Sequence, residues 1–439
     1  MNWHLRYRLR HHLMTSFWLF PALAIILAII LGTFTRWLDH QLSFSLFEYT
    51  ADGARTLLGS LSGSLLTFLV FVVSSMLLIV QLASSQLTPR IIAFVFSSRY
   101  TQFTLSLFVF SYTFALATQA RIDDKVPQLT VAIAVGSTLL SLAVFFWFAQ
   151  RLGASLRPVS VVQAVGEATR QVMDQVYPYP FVTSEEKTRS HWKKDVEHLG
   201  SRVIPYRSSS GVLVAFDITS LVAMAKKADC LIEIIPQVGD FVSKDDPMFR
   251  IYPDRPAISE PQLQKAVVIG SERTIELDPM FGFRIMVDIA SRALSPAIND
   301  PTTAVMSIDQ LQRLLSYVGN RQLSDGTASD DQDKLRLAYP TPNWEDFTSM
   351  AVTEIRQFGT SSIQIPRRLQ AMLEHLLQTM PKDRKPALLE ELTLLQQAVQ
   401  NAYPAGIMRT RAETSDLQGI GGSPGSRIAE NESKAAAKP

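Results

Sequence analysis

Four long stretches without a charged residue mark the first third of the chain. They cover residues 13–35, 56–89, 100–120 and 126–150. Each is long enough for a helix to cross about 30 Å of hydrocarbon, which takes about 20 apolar residues. A helix satisfies its own backbone hydrogen bonds in lipid, whereas in water these stretches would expose apolar surface on every side. The pattern predicts a domain of four transmembrane helices in residues 1–152.

The second stretch predicts more than a simple anchor. As a helix it would reach roughly 50 Å at about 1.5 Å per residue, which is longer than one crossing needs. Its polar residues recur at steps of three, four or seven positions, so they share one face of the helix. We call them the polar stripe: Ser60, Ser64, Thr67, Ser74, Gln81 and Ser85.

The polar stripe has two interpretations. In the first it is a packing surface, because Gly59, Gly63 and Thr67 form the small-xxx-small pattern of close helix pairs. In the second it lines a pore, where hydroxyl and amide groups replace part of an ion's hydration shell. Both hold if identical helices pack around an axis. The four stretches contain no ionisable residue, which argues against a proton-coupled pump.

The basic residues near the predicted helix ends set the orientation. One side carries an excess of them, and this side is expected in the cytoplasm together with both chain termini. They are Arg6, Arg8, Arg10, Arg90, Arg99, Arg151 and Arg157. Residues after about 153 are then cytosolic. The single cysteine, Cys230, agrees with a reducing compartment.

The rest of the chain has an ordinary globular composition. It predicts a helical connector over residues 153–200, a small β-rich module over 201–275, a helical domain over 276–408 and a disordered tail over 409–439. Residues 236–251 resemble the turn-and-strand repeat of biotinyl and lipoyl barrel-sandwich modules. They lack the Met-Lys-Met modification site, so Lys244 is not predicted to carry a cofactor, and no cofactor is expected elsewhere.

A turn in the helical domain gathers polar side chains from two successive predicted helices. Asp300 and Pro301 have the pattern of an N-cap followed by the first helical residue, and Asp288 could pair with Arg292 four positions later. A ligand site is the alternative, for an anion at the helix start or for a cation among oxygen ligands. The candidate residues are Asp288, Arg292, Ser295, Asn299 and Asp300.

Charge and motif content exclude several functions. The chain of 439 residues has 42 Lys and Arg against 40 Asp and Glu, a balance that excludes a strongly basic nucleic-acid binder. The sequence contains no P-loop, no dinucleotide-binding glycine fingerprint and no Gly-x-Ser-x-Gly elbow. Its seven histidines are dispersed along the chain, so no metal site is predicted. The sequence therefore predicts no catalytic residue and no enzyme.

Four segments of the chain together resemble a large bacterial family, the domain-of-unknown-function family 2254 of predicted membrane proteins. They are Gly-Ala-Arg-Thr-Leu-Leu-Gly-Ser at 53–60, Gln-Leu-Ala-Ser-Ser-Gln-Leu-Thr-Pro-Arg at 81–90, Phe-Gly-Phe-Arg at 281–284 and Arg-Ala-Leu-Ser-Pro-Ala-Ile-Asn-Asp-Pro at 292–301. The likeness covers nearly the whole chain before the tail. It implies an integral protein of the bacterial inner membrane.

The predicted fold class is an α-helical membrane protein, with four transmembrane helices followed by a cytosolic α+β region that comprises a small β-module and a helical bundle. The leading functional hypothesis is a passive channel or pore-like homo-oligomer, in which the second span faces the axis and the cytosolic part gates or filters access. The alternative is a membrane-tethered sensor or scaffold that binds a partner. The expected partners are the lipid bilayer, further copies of the chain, and an ion or small-molecule ligand.

Overall fold

The computed structural model describes most of the chain in two compact units. The described residues are 18–42, 49–86, 88, 90, 99–122, 126–155, 157–182, 192–196, 198–254 and 258–420. One unit comprises the described residues from 18 to 161 and is called the membrane unit here. The other comprises the described residues from 162 to 420 and is called the C-terminal unit.

The described part of the membrane unit is helical. Its long helices are α1 (Leu19–Leu42), α2 (Ala51–Gln86), α3 (Arg99–Gln119) and α4 (Gln128–Ser155). Segments of α1, α2 and α4 are long and apolar enough to cross a membrane, namely Leu19–Gln41, Ala51–Gln81 and Gln128–Arg151. Three of the four predicted spans, those in α1, α2 and α4, thus meet this criterion, whereas the predicted span in α3 does not.

Helix α3 is the polar member of the four. It packs against α1, α2 and α4. Several of its polar residues are buried, namely Thr101, Gln102, Thr104, Ser111 and Thr118. A helix surrounded by other helices keeps its polar side chains away from acyl chains, so low hydropathy is compatible with this central position.

Helix α1 continues past residue 35, where the sequence predicted the end of the first span. It reaches Leu42 and therefore contains Arg36, Asp39 and His40. Asp39 lies against the start of α4, where its Oδ1 accepts a 3.4 Å hydrogen bond from the Leu129 backbone N–H. These three ionisable side chains follow the charge-free stretch from which the first span was predicted. Residues 13–17 of the predicted span lie outside the described part of the chain.

The C-terminal unit contains a β-module of two sheets, preceded by helices α5 (Pro158–Val176) and α6 (Trp192–Val196). Its first strands and helices are β1 (Arg202–Pro205), β2 (Gly211–Phe216), α7 (Ile218–Lys227), β3 (Leu231–Ile234), β4 (Phe241–Val242), β5 (Pro247–Tyr252), α8 (Glu260–Lys265) and β6 (Val267–Gly270). Strands β7 (Thr327–Ser329) and β8 (Leu335–Ala338) follow later in the chain. The sheet orders are β1-β5-β3-β8-β7 and β4-β2-β6.

One hydrophobic core joins the two sheets. Leu213 of β2 and Val242 of β4 belong to the same buried cluster as Ile232 of β3 and Leu337 of β8. Strand β8 runs parallel to β3, with Ile232 opposite Leu337. The sequence assigned residues 276–408 to a helical domain, but the β7–β8 pair within that range completes the sheet of the preceding module.

Helices form the remainder of the C-terminal unit. They are α9 (Pro279–Ala293), α10 (Pro301–Gly319), α11 (Trp344–Gly359), α12 (Gln364–Thr379), α13 (Lys385–Ala402) and α14 (Ile407–Ala412). Residues 409–420 fall in the range for which the sequence predicted disorder. They are described and ordered against α12, where the Asp416 N–H donates to the Arg367 carbonyl at 3.1 Å. Residues 421–439 of that predicted tail lie outside the described part of the chain.

Candidate functional site

The polar stripe lies on the side of α2 that faces away from the rest of the membrane unit. Its five members with described side chains, Ser60, Ser64, Thr67, Ser74 and Gln81, are all exposed. The side chain of Ser85 lies outside the described residues. The opposite side of α2 is buried, at Ala54, Leu58, Leu65, Val72 and Met76. The contacts of α2 with the described residues therefore leave the stripe uncovered.

Hydroxyl groups of the stripe bond to their own helix. The Ser64 Oγ–H donates to the Ser60 carbonyl at 2.9 Å, and the Thr67 Oγ1–H donates to the Gly63 carbonyl at 3.0 Å. This geometry uses the hydroxyl protons within α2. The oxygen lone pairs of Ser64 and Thr67 remain on the exposed side.

Two large apolar residues interrupt the stripe, and the sequence analysis missed them. Phe71 lies four residues after Thr67, and Leu78 lies four residues after Ser74, so both share the polar face. Each is 58% exposed. The exposed face thus alternates between hydroxyl-bearing and apolar positions along its length.

The two glycines proposed to pack α2 against a neighbouring helix, Gly59 and Gly63, have different surroundings. A Cβ atom at Gly59 would lie 2.9 Å from Nε2 of Gln119 on α3, so this glycine permits close packing inside the chain. A Cβ at Gly63 would meet nothing within 4 Å. The packing interpretation therefore accounts for Gly59 within the chain, whereas Gly63 faces outward with the stripe.

A second polar surface lies inside the membrane unit, and the sequence analysis did not identify it. Ser111 of α3 donates to the Ser137 carbonyl of α4 at 3.1 Å, and its Oγ lies 2.9 Å from Ser141 Oγ. Thr130 of α4 donates to Thr35 Oγ1 of α1 at 3.3 Å. We call this surface the polar seam, made of Thr35, Thr104, Ser111, Thr118, Thr130, Ser137 and Ser141.

The spacing within α3 was the available signal for the seam. Thr104, Ser111 and Thr118 are seven residues apart, so they share one face of the helix. All three are buried, with exposures of 0%, 0% and 5%. The sequence showed this period, but not which of the four helices would cover that face.

The turn between α9 and α10 has the geometry of a helix cap. Asp300 Oδ1 accepts from the Thr303 backbone N–H at 3.1 Å, and Oδ2 accepts from the Thr303 hydroxyl at 2.5 Å. Asn299 has φ 48°, a left-handed conformation that Asn tolerates better than most residues. The backbone N–H of Asn299 bonds to the Ser295 carbonyl at 2.9 Å. These contacts account for Ser295, Asn299 and Asp300 without a ligand.

The ion pairing of Asp288 involves an arginine that the sequence analysis did not propose. Arg284, four residues earlier, binds Asp288 with an Nη2 to Oδ1 distance of 2.5 Å. The same guanidinium binds both carboxylate oxygens of Glu354 on α11, at 2.7 Å for the Nη2 to Oε2 contact. Arg284 therefore links α9 to α11. Arg292 is exposed at the end of α9.

The C-terminal unit also contains an open cleft of about 1470 Å³. Its wall includes Arg384, whose guanidinium carbon lies 4.9 Å from the Phe181 ring centroid and 5.4 Å from that of Trp344. Burial lowers the pKa of Arg384 below its usual value. Charges of both signs line the cleft, namely Lys193, Asp325, Glu345, Asp383 and Arg384.

Metal-binding residues do not cluster in the described part of the chain. No three His, Cys, Asp or Glu side chains among those residues lie close enough together to hold a metal ion. Cys230 is buried, and this burial raises the pKa of its thiol to about 11.

Comparisons with known proteins identify a family and several relatives that match most of the chain. A family model described as a predicted membrane protein (DUF2254) matches residues 14–375. Uncharacterised proteins of Mycobacterium bovis and Mycobacterium tuberculosis are each 25% identical to this chain over 372 residues, which is 82% of this chain and 70% of each relative. No solved protein structure matches the chain significantly.

Proposed function

The chain belongs to the DUF2254 family of predicted membrane proteins, and on that premise we propose that it is a passive channel of the bacterial inner membrane. In this assembly several copies meet with their α2 helices around a polar path. The C-terminal unit, which would lie in the cytoplasm, gates or filters access to the path. The proposal contains no catalytic step.

The observation that carries the proposal is the outward position of the polar stripe. Ser60, Ser64, Thr67, Ser74 and Gln81 are exposed, while residues on the opposite side of α2, such as Leu58 and Leu65, are buried. A helix in water exposes polar groups because water forms hydrogen bonds with them. This reason does not apply to a helix in lipid, and α2 is among the helices apolar enough to cross a membrane. Acyl chains offer no hydrogen bonds to such a face, whereas copies of the helix or a water-filled axis do.

The residue types along the stripe suit passive conduction. The stripe offers hydroxyl oxygens and an amide, which are groups that coordinate an ion or water without a change of charge. Between residue 56 and Gln81, α2 has no charged residue that could act as a proton relay. Phe71 and Leu78 add apolar rings to the proposed path, and hydrophobic constrictions of this kind gate by excluding water.

The orientation is part of the proposal. Basic residues favour the cytoplasmic side, and their distribution in the sequence puts the chain termini there. Helix α3 is the additional crossing that this topology requires, because three crossings would leave the termini on opposite sides. Its packing against α1, α2 and α4 supports that role.

The test is ion flux through the purified full-length protein in liposomes, driven by voltage, osmotic tension or a pH step. We expect flux in the wild type under at least one stimulus. Replacing Ser74→Leu or Gln81→Leu should lower it about tenfold, because an apolar side chain at the axis removes hydration sites and narrows the path.

The matched control is Thr33→Leu. Thr33 is also an exposed hydroxyl in a candidate span, and it donates to the Ile30 carbonyl at 2.7 Å, but it lies on α1 rather than on the stripe. Its replacement should leave the flux unchanged. Absence of flux under all three stimuli would reject the channel, and equal loss in all three variants would reject the role of the stripe.

A membrane-tethered sensor or scaffold is the second candidate, and the cleft of the C-terminal unit supports it. The cleft combines an aromatic wall at Phe181 and Trp344 with charges of both signs. Small-molecule sites commonly have this mixture of apolar walls and a few polar groups. A sensor of this kind should tolerate Ser74→Leu and Gln81→Leu, whereas a channel should not.

A further inference from the structure

Buried polar groups in and near the polar seam lack hydrogen-bond partners among the described residues. Thr104 is 0% exposed, and no described group lies within hydrogen-bonding distance of its Oγ1. Gln102, two residues earlier on α3, is 5% exposed, and its Nε2 likewise has no partner among the described residues. Both groups are thus buried in a helix bundle where the surrounding lipid offers no hydrogen bonds.

A third such group lies at the other end of the bundle. Oδ2 of Asp39, near the end of α1, is buried and has no partner in the described part of the chain. Its Oδ1 accepts from the Leu129 N–H, next to the Thr130 to Thr35 hydrogen bond of the seam. Thr104 lies near the start of α3, whereas Asp39 lies beside the start of α4, so unpartnered groups occur toward both ends of the seam.

Between these ends the seam is closed by direct contacts. Ser111 Oγ lies 3.1 Å from the Ser137 carbonyl oxygen and 2.9 Å from Ser141 Oγ, and Ser141 Oγ lies 2.9 Å from the same carbonyl oxygen. The two hydroxyl protons make two of these three contacts at a time. Ser111 and Ser141 are both 0% exposed. The serines satisfy one another, so the middle needs no further partner.

Burying a polar group without a hydrogen bond destabilises the folded protein by much of the free energy needed to remove that group from water. Hydrocarbon provides no hydrogen bond to offset this loss. Water is the partner that most often satisfies such groups, provided that several polar atoms surround it. We infer that water occupies the polar seam, reaching Thr104 from one end and Asp39 from the other, with the Ser111–Ser141 pair between the two wet regions. Each protomer then has a hydrated interior that is separate from the path proposed along the stripe.

Cysteine accessibility in proteoliposomes tests this inference. Cys230 is the only cysteine of the chain, so Cys230→Ala gives a cysteine-free parent. Thr104→Cys in that parent is exposed to Ag⁺, a small ion carried by water, and the thiols that remain are then labelled with a fluorescent maleimide after unfolding in detergent. The readout is the rate of thiol loss and does not depend on any transport activity.

Two control positions set the rate for dry sites. Ala115→Cys lies on α3 within an apolar cluster, at 0% exposure. Leu139→Cys on α4 is 62% exposed in the protomer and would meet acyl chains. We expect Ag⁺ to block Thr104→Cys about tenfold or more faster than either control, because the reactive thiolate forms only where water reaches the sulfur. Equal rates would overturn the inference.

A second variant keeps the inference testable if Thr104→Cys fails to fold. Thr104→Val removes the hydroxyl and keeps the shape of the side chain. If water binds this hydroxyl, the variant loses a hydrogen bond and its thermal midpoint does not rise. If the site is dry, removal of an unpaired buried hydroxyl stabilises the protein and the midpoint rises, which would contradict the inference.

The outcome is independent of the channel proposal. A thiol at Ser74 reports on the stripe of α2, whereas a thiol at Thr104 reports on the interior of the protomer. Fast reaction of Ag⁺ with Thr104→Cys together with no reaction at Ser74→Cys would support a hydrated seam and reject the pore. The reverse result would reject the seam and leave the pore in place.

Discussion

At the scale of single residues, Gly282 shows how closely α9 and α5 approach. A Cβ atom built on Gly282 would lie 2.0 Å from Oγ1 and 2.8 Å from Cβ of Thr169 on α5. Both distances are far below contact distance, and Gly282 is buried in the first turn of α9. A side chain at this position would therefore force the two helices apart.

Gly282→Ala should lower the free energy of unfolding by about 1–3 kcal/mol, the usual cost of overpacking a core. Chemical denaturation followed by tryptophan fluorescence measures the change. Gly63→Ala is the control, because a Cβ there meets nothing within 4 Å. Adding Thr169→Ala should recover part of the lost stability. A Gly282→Ala protein as stable as the wild type would show that the two helices are not in this contact.

The sequence located the residues of this region but not their partners. The Phe-Gly-Phe-Arg segment was recognisable, yet Thr169 and Glu354, the contacts of Gly282 and Arg284, come from α5 and α11. Capping at Asp300 was predictable because the capping residue and Thr303 are neighbours in the chain. Contacts between distant segments depend on how the helices pack, which periodicity alone does not encode.

At the scale of elements, α3 shows the limit of hydropathy as a guide. Charge gaps predicted four spans, and the helix appears where expected, but its polar residues leave it below the apolarity of α1, α2 and α4. Hydropathy measures composition, whereas burial of Thr104 and Ser111 depends on the neighbouring helices. The same limit applies to β8, a four-residue strand whose place beside β3 is fixed by tertiary pairing.

The apolar residues in the stripe give a prediction at the element scale. If Phe71 forms a hydrophobic constriction in a pore, Phe71→Ser should raise ion flux in liposomes about tenfold, because water enters a polar constriction more readily. Leu66→Ser is the matched control on the same helix. Leu66 is exposed like Phe71 but lies about 100° around the helix from Thr67. Lower or unchanged flux in Phe71→Ser would remove the constriction from the account.

At the scale of the whole molecule, the chain consists of a helical membrane unit and a C-terminal unit with its own core. The sequence predicted this class of protein because charged residues are absent from four long stretches of the first third and are interspersed throughout the rest of the chain. The assembly could not be predicted in the same way, because an exposed face is compatible with lipid, with a copy of the chain or with a water-filled axis. The position of the stripe in the protomer restricts the interpretations, since no part of the chain that the structure describes covers it.

The most direct test of the central claim is block of ion flux by Ag⁺ at position 74. Proteoliposomes of Ser74→Cys in the Cys230→Ala parent are measured before and after Ag⁺, beside Thr33→Cys in the same parent. The account predicts that Ag⁺ abolishes flux through Ser74→Cys and leaves flux through Thr33→Cys and the cysteine-free parent unchanged. A conducting Ser74→Cys protein whose flux is insensitive to Ag⁺ would contradict it, because the stripe would then lie outside the path.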